Sequence, residues 1–180
     1  MTDFAIIYQE RQMAHKVYIG IDNGTTGTIG WVGDLSSGTE ETPVVHEQSY
    51  TKAKNIISRI DSRQLTSDIR GIVGKFEPSE CLVVIERPMI NPMRFKASIS
   101  AARSLEATLC VIEQLGLPHM YADSRDWQKK ILPQGCKGDD LKTASRDIGL
   151  RLFPHCVDVI AKHKDADGLL IAEWARREGL

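Results

Sequence analysis

Acidic residues stand at three places in the sequence where an apolar segment begins or ends. Asp22 follows the strand-like run VYIGI, and Glu86 closes the apolar run LVVI. Asp165 and Asp167 precede the helical segment GLLIAEWARR. A carboxylate beside apolar sequence is costly unless a cation compensates its charge. Several such acids would repel one another if they met, so we expect a divalent metal ion among them.

The donor type narrows the choice of metal. Carboxylate oxygens without a set of His and Cys ligands suit Mg²⁺ or Mn²⁺ rather than zinc. Two such ions about 3.5–4 Å apart can activate a water and stabilise the leaving oxygen of a phosphodiester. These acids therefore predict a nuclease. Each also has a simpler interpretation: Asp22 as a turn residue, Glu86 paired with Arg87, and the later acids as residues favoured at a helix N-terminus.

Size and composition fit one cytoplasmic domain. The chain has 180 residues and a formal net charge of −1, which neither favours nor excludes nucleic acid. It has no apolar run of bilayer length, and we expect no membrane contact. The four cysteines are widely spaced and are expected to be reduced thiols without a structural zinc. Residues 1–16 are interpreted as an appendage and residues 17–180 as the domain.

The order of the predicted elements indicates an α/β fold with one mixed sheet. Hairpin strands come first and helical crossovers later, so three antiparallel strands should be followed by two parallel ones, with helices on the faces. The first and fourth strands should be central neighbours. Strands are predicted at 17–21, 25–31, 42–50, 81–88 and 118–124, and helices at 63–76, 96–116, 124–132, 139–153 and 165–177. On the helix over 96–116 the apolar stripe comprises Ile99, Ala102, Leu105, Leu109 and Ile112.

Three motifs in their order resemble one known family. The segments YIGIDNGTTGTIGW, LVVIERP and KDADGLLIAEW are similar to those of RuvC-type Holliday-junction resolvases, and the phage-type and chloroplast-type members look closest. The resemblance covers about Val17 to Arg177 and implies an RNase H-like fold. It implies that Asp22, Glu86, Asp165 and Asp167 bind two Mg²⁺ ions per site, with Mn²⁺ as a substitute. It also implies a bacterial or phage-encoded homodimer that cuts a four-way junction by paired symmetric nicks.

The fourth ligand departs from the family pattern. The family places its last acids three or four residues apart on one helical face, whereas here they are two apart and would point away from each other. Asp165 can join Asp167 only from the loop before the helix, for example as its cap. A neutral imidazole at His163 is the alternative ligand. We choose Asp165.

The stretch after Glu86 carries residues suited to DNA. Arg94, Lys130, Lys137 and Lys142 are the candidates for phosphate contacts, within a set of basic residues that would otherwise form an ordinary solvated face. Met89 and Phe95 are interpreted first as packing residues. In relatives the loop at this place can carry an apolar wedge that separates junction bases, so either residue is also a candidate wedge.

Two other functions remain open. The segment GIDNGTTGTIG also resembles the phosphate-binding hairpin of sugar kinases and actin-like ATPases, but those proteins need two such lobes and this chain has room for one. A non-catalytic DNA-binding domain of the same fold is the other alternative. The spacing of Asp165 and Asp167 is its best support.

Overall fold

The computed structural model describes residues 15–50, 52 and 54–180. The predicted appendage, residues 1–16, lies outside the described residues except for its last two positions. The strands are β1 Val17–Ile21, β2 Thr28–Gly33, β3 Ser37–Glu41, β4 Val44–Gln48, β5 Ile56–Ile60, β6 Cys81–Glu86 and β7 His119–Ala122. The helices are α1 Ser62–Val73, α2 Phe95–Gln114, α3 Ser124–Ile131, α4 Asp139–Leu152, α5 Val157–His163 and α6 Asp167–Glu178.

Five of the strands form one mixed sheet in the order β3-β2-β1-β6-β7. β1 pairs antiparallel with β2, and β2 pairs antiparallel with β3. β6 runs parallel to both β1 and β7. This arrangement confirms the predicted fold class, with the first strand and the LVVI strand as central neighbours.

The third strand of this sheet was predicted at the wrong place. Residues 42–50 were expected to form it, but Ser37–Glu41 does, and Val44–Gln48 pairs with Ile56–Ile60 in a separate two-stranded sheet. The segment SGTEE has little intrinsic strand preference. Tertiary contacts hold it in place: Gly38 leaves room for the Trp31 ring, and the Thr39 hydroxyl donates to the Ile29 carbonyl at 3.1 Å.

Side chains alternate between the two faces of the sheet and feed two hydrophobic clusters. Tyr18 of β1 and Leu82 of β6 join the cluster under α3 to α6. Ile19 and Val83, their neighbours in sequence, join the cluster under α1 and α2. Both faces of the central strands are therefore covered, which explains why β1 and β6 read as continuous apolar runs.

Helix α6 packs on β1 and β2 with almost no side chains between the backbones. A methyl group on Gly20 would overlap the Gly168 carbonyl, and one on Gly30 would overlap the backbone of Leu169. Gly168 itself faces the Thr28 carbonyl and has no room for a side chain. The Thr28 hydroxyl accepts a 3.1 Å hydrogen bond from the Gly168 amide and so caps the helix from the sheet. This contact fixes where α6 begins.

The predicted apolar stripe of α2 is confirmed at Leu105, Leu109 and Ile112, which pack on the core, and is wrong at Ile99 and Ala102, which are exposed. The helix buries Ser98, Ser104, Thr108, Val111 and Ile112, whereas Ile99 at the start of the predicted stripe is 40% exposed. Small hydroxyl side chains allow the helix to approach its neighbours closely, and the periodicity of apolar residues alone did not reveal that they are buried. The inner face of α2 is consequently more polar than the sequence suggested.

Two simpler expectations can be compared with the structure. All four cysteines are free thiols. Among the described residues, no helix combines the length and the apolar character that crossing a bilayer requires.

Replacing Gly30 by alanine should destabilise the protein by about 2–3 kcal/mol, because the added methyl group forces α6 away from β2. The free energy of unfolding in urea measures this change. Gly71→Ala is the matched control, since Gly71 lies in α1 with open space around it, and alanine there should stabilise by about 0.5–1 kcal/mol. Equal effects of the two substitutions would contradict the close α6 contact.

Candidate active site

Asp22 and Glu86 are brought side by side by the register of the two central strands. Ile21 lies opposite Ile85 in the parallel pair, so the next residue of each strand falls at the same edge of the sheet. Both side chains follow the alternation of Tyr18 and Leu82, which places them on the face covered by α6. Their carboxyl groups share a hydrogen bond.

Asp167 reaches the same point from the first position of α6. The Ser145 hydroxyl, fully buried on α4, donates to Asp167 Oδ1 and accepts a 3.1 Å hydrogen bond from the Ala166 amide. Gly149, one turn further along α4, leaves room for the Ala166 methyl group. Helix α4 therefore holds the start of α6 and orients the Asp167 carboxylate.

Asp165 lies in the segment between α5 and α6, two residues before the helix begins. From this position its charge acts on Asp22, Glu86 and Asp167 and raises the pKa of each. It joins the other acids from the loop, as its spacing required. The expectation that it caps α6 is wrong, because Ala166 occupies the cap position and Thr28 and Ser145 supply the hydroxyl contacts.

His163, the alternative ligand, is the last residue of α5 and lies next to Asp165. Its Nε2 is 3.8 Å from Asp165 Oδ1, which is too far for a hydrogen bond. The acid beside His163 is thus Asp165, which is itself one of the four predicted metal ligands.

The cluster disfavours negative charge. Burial, followed by repulsion from Glu86 and Asp165, raises the pKa of Asp22 to about 7. Burial also raises the pKa of Asp167 to about 7 against the opposing hydrogen bond from Ser145. Burial raises the pKa of Glu86 even though the Trp127 indole donates to its Oε1 at 3.0 Å. Lys142 lowers the pKa values of Asp22 and Asp167 but does not offset the desolvation.

Two buried oxygens at this site lack a donor. Asp165 is 6% exposed, and its Oδ1 has no hydrogen-bond partner. The Asn23 side chain donates from Nδ2 to the Ala101 carbonyl at 3.2 Å, which turns its Oδ1 away from that carbonyl. The Asn23 Oδ1 is also buried without a hydrogen-bond partner. Unpaired buried acceptors beside carboxylates of raised pKa suit a hard cation.

The donor atoms at this site suit a metal ion, but they do not already form a complete coordination geometry. In the parts of the chain that the structure describes, no three His, Cys, Asp or Glu side chains stand as a ready-made metal site. Hydrogen bonds account for this: Glu86 oxygens are engaged by Trp127 and Asp22, and an Asp167 oxygen is engaged by Ser145. A cation would have to displace the proton that Asp22 and Glu86 share.

Two of the four acids, Glu86 and Asp167, face a cleft of about 480 Å³. Asn23, Glu86 and Asp167 line it, and Arg94 lines it on the side of the loop that follows β6. The predicted phosphate contact at Arg94 is thus placed at the acids. Lys142 acts electrostatically on two of those acids and is near them as well.

The other two predicted phosphate contacts lie elsewhere. Lys130 is 3.4 Å from Glu178, at the opposite end of α6 from Asp167 and about 16 Å along its axis. Lys137 is exposed in the segment before α4. A contact of these two lysines with DNA farther from the acids stays a prediction.

Met89 and Phe95 are not packing residues. Met89 is 82% exposed and Phe95 is 69% exposed, on the loop and helix start that follow Glu86. Ile90 and Met93 in the same loop are 59% and 92% exposed. Contiguous exposed apolar side chains indicate an interaction surface, and Met89 lines the cleft that holds the acids.

The sequence did not point to four residues that the site uses: Asn23, Thr28, Trp127 and Ser145. Each acts through a contact with a residue far away in the chain, such as Trp127 with Glu86 and Ser145 with Asp167. Asn23 was the one with a local signal, because an amide directly after a candidate ligand can add an oxygen donor. A lone Trp or Ser within a helix carries no comparable signal.

Comparison with known proteins supports the fold. No family model and no curated protein matches the chain. The structure is similar to that of T. thermophilus RuvC in complex with a Holliday junction substrate, with a TM-score of 0.56 and 16% identity over 91% of this chain and 96% of that chain. A Thermus thermophilus RuvC structure matches over the same shares at a TM-score of 0.47 and 14% identity, too weakly to support an argument.

This structural similarity shows the fold alone. The protein has an RNase H-like α/β fold, which it shares with the T. thermophilus RuvC structure. The resemblance noted in the sequence motifs is confirmed at this level. At 16% identity the roles of individual residues have to be argued from the site itself.

Without divalent metal, the wild-type protein should lose stability as the pH rises from about 4 through about 7. The folded pKa of Asp22 lies above its usual value of 3.8, so the folded state favours the protonated acid and this contribution disappears as the acid ionises. Asp22→Asn cannot ionise and should be more stable than the wild type at pH 8, by about 2 kcal/mol. Urea unfolding across this pH range in the presence of a chelator measures the difference.

Asp34→Asn is the matched control, because Asp34 is an exposed aspartate just after β2. It should follow the wild-type pH profile. A wild-type profile parallel to that of Asp22→Asn would show that the carboxyl cluster is not strained by its own charge.

Proposed function

We propose that the protein is a metal-dependent, structure-selective endodeoxyribonuclease that cleaves branched DNA, with Holliday junctions as its main substrate. The observation that carries the proposal is the meeting of Asp22, Glu86, Asp165 and Asp167 at one edge of a sheet of RuvC-like fold. The raised pKa values of Asp22, Glu86 and Asp167, together with the donorless oxygens of Asp165 and Asn23, support a cation site. The fold alone would support only the class of protein.

The four acids would hold two Mg²⁺ ions, with Mn²⁺ as a substitute, and the buried position of Asp165 favours it over His163 as the fourth ligand. Bound cations of this kind lower the pKa of an attacking water and stabilise the departing 3′ oxygen of the DNA backbone. Asn23 Oδ1 is placed to add a neutral oxygen donor. The chain itself must deliver these oxygens in fixed directions.

Neighbouring residues fix those directions. Trp127 is fully buried and holds one oxygen of Glu86, and Ser145 holds one oxygen of Asp167. The second oxygen of Asp167 is left for the cleft, whereas the Glu86 carboxyl group also shares a hydrogen bond with Asp22. Lys142 and Arg94 supply positive charge beside the acids, where the scissile phosphate and its neighbour would lie.

The proposal that branched DNA is the substrate rests on the fold and on the exposed loop after β6. The structural neighbour was solved with a Holliday junction substrate, and we carry that substrate class over as a proposal. Symmetric cutting of two strands requires two sites, so we propose a C2 homodimer. We propose further that the protein acts in the cytoplasm of a bacterium, with its gene on a bacterial or phage genome.

Met89 and Phe95 would act as the wedge at the branch point. Both side chains are exposed, and Met89 lines the cleft, where insertion between bases would hold the junction open. Unstacking a base step costs a few kcal/mol, which contact with an apolar side chain offsets.

A non-catalytic DNA-binding domain is the second candidate. The specific observation in its favour is that the acids are hydrogen-bonded to one another and to Ser145 and Trp127, not arranged as finished ligands. A protein that uses the acids only as structural hydrogen-bonding groups would look the same.

Cleavage of a labelled four-way junction in Mg²⁺ separates the two candidates. The wild type should cut it and leave an unbranched duplex of the same sequence intact. Asp22→Asn and Glu86→Gln should each lower the rate by roughly 10³-fold or more, because each removes a charged cation ligand. Glu113→Gln, an exposed glutamate on α2, is the control and should cut at the wild-type rate.

The negative result is equally informative. Wild-type protein that is folded, binds the junction and never cuts it under Mg²⁺ or Mn²⁺ would establish the non-catalytic alternative.

Removing the wedge should affect only intact junctions. The double variant Met89→Ala, Phe95→Ala should cut a fully paired junction about tenfold more slowly than the wild type, because the bases at the branch stay stacked. A junction with unpaired bases at its centre should be cut at nearly the same rate by both proteins. Leu35→Ala, which removes an exposed apolar side chain elsewhere, is the control. Equal slowing on both junctions would assign the two residues to folding or general binding.

A further inference from the structure

A polar groove runs along α2 on the face of the sheet opposite α6. It consists of two adjoining depressions of about 280 and 360 Å³ that share Cys110. The first lies between α2 and β5, and the second lies between α2 and α1. Hydroxyl groups of Ser58, Ser100 and Ser104 line the first, and those of Ser62 and Thr66 line the second. We call this surface the α2 groove.

The α2 groove begins one helix width from the candidate active site. Asn23, next to Asp22, donates its side-chain amide to the Ala101 carbonyl, so the first turns of α2 lean against the acids. Ala101 lines the catalytic cleft, whereas Ser100 and Ser104 on the same helix line the groove. From Ser100 to Gln114, at its far end, the groove extends for about 20 Å.

Three arginines give the α2 groove its charge. Arg59 and Arg103 line the first depression, and Arg63 lines the second. Arg59 is paired with Glu47 at 2.8 Å, and Glu106 stands in the wall beside Arg103. The turn between β4 and β5 adds the exposed Lys52 and Lys54. Among the residues that line the groove, three arginines thus stand against one glutamate.

An exposed aromatic ring stands at the entrance. Tyr50, at the end of β4, is 77% exposed. The Arg103 guanidinium carbon lies over this ring, 5.6 Å from its centroid. A tyrosine held in this way presents a flat apolar surface next to a positive charge, the combination on which nucleic-acid bases stack.

We propose that the α2 groove is a second DNA-contacting surface, which holds one arm of the branched substrate as it leaves the catalytic cleft. Arg103 and Arg63 contact backbone phosphates with the groove hydroxyls, and Tyr50 stacks on a base at the entrance. A length of about 20 Å accommodates about six nucleotide steps at 3.4 Å each. The proposal rests on the proposed function, and it deepens that function by locating where the substrate arm lies.

Charge argues against a second copy of the chain as the occupant. A two-fold contact through this surface would bring the arginines of the two copies toward one another, because each contributes the same patch. Like charges facing across an interface cost affinity. A polyanion meets no such penalty.

The experiment compares Arg103→Gln with Arg151→Gln, an exposed arginine at the end of α4 on the other side of the sheet. Dissociation constants for a labelled four-way junction are measured in chelator between 50 and 200 mM salt. Arg103→Gln should weaken binding about three- to tenfold at 100 mM salt and lower the slope of log K against log salt by about 1. Arg151→Gln should leave both quantities unchanged.

Arm length provides the second test. On a junction whose arms are shortened to about two base pairs beyond the cut site, wild type and Arg103→Gln should bind equally, because the DNA no longer reaches the groove. Tyr50→Ala should weaken binding to the long-armed junction about fivefold, and Tyr50→Phe, which keeps the ring, should not. Cleavage in saturating Mg²⁺ and DNA should be unchanged in all four variants.

The outcomes separate the two proposals. Junction binding by the wild type that Arg103→Gln does not weaken overturns the groove proposal and leaves the nuclease proposal standing. Weakening that persists on short arms, or a change in the molecular mass of Arg103→Gln, overturns it in favour of a fold defect or a subunit contact. Absence of junction binding by the wild type overturns both proposals.

Discussion

The contact between α6 and the first hairpin is the constraint on which the site depends. Gly20, Gly30 and Gly168 keep most side chains out of this contact, so backbone approaches backbone. The start of α6 can then lie only where the sheet surface admits it. Because Asp167 is the first residue of α6, the same contact that fills the core sets the distance from Asp167 to the central strands. The packing of α6 on the sheet and the placement of the Asp167 carboxylate therefore depend on the same contact.

The acids were predictable because they obey rules of register and alternation. Parallel pairing of β1 with β6 puts Asp22 and Glu86 at one edge, and a period of two puts them on one face. The strand signal failed at Ser37–Glu41, where SGTEE is a strand only because Trp31 and Ile29 hold it. Helical periodicity placed Leu105, Leu109 and Ile112 correctly on the inner face of α2 but missed its buried serines and threonine, because these residues were not counted as core residues.

The supporting residues were beyond sequence reasoning for a physical reason. Trp127 and Glu86 are 41 positions apart, and Ser145 and Asp167 are 22 apart. Such pairs exist only after the fold has formed. The sequence around a tryptophan or a serine does not indicate which distant residue it will contact. Desolvation is likewise a property of the assembled site: Asp22 lies in a turn rich in glycine, yet the helices around it raise its pKa to about 7. The sequence thus predicted which acids meet, but not the environment in which they meet.

The small β4–β5 sheet forms its own ladder and shares no strand with the main sheet. Residues can therefore be inserted into or deleted from its turn without shifting the register that aligns Asp22 with Glu86. Evolution could lengthen, shorten or recharge this arm while the cluster of acids stayed unchanged. Such modularity would let related proteins of this fold change what the arm contacts under separate selection from the acids.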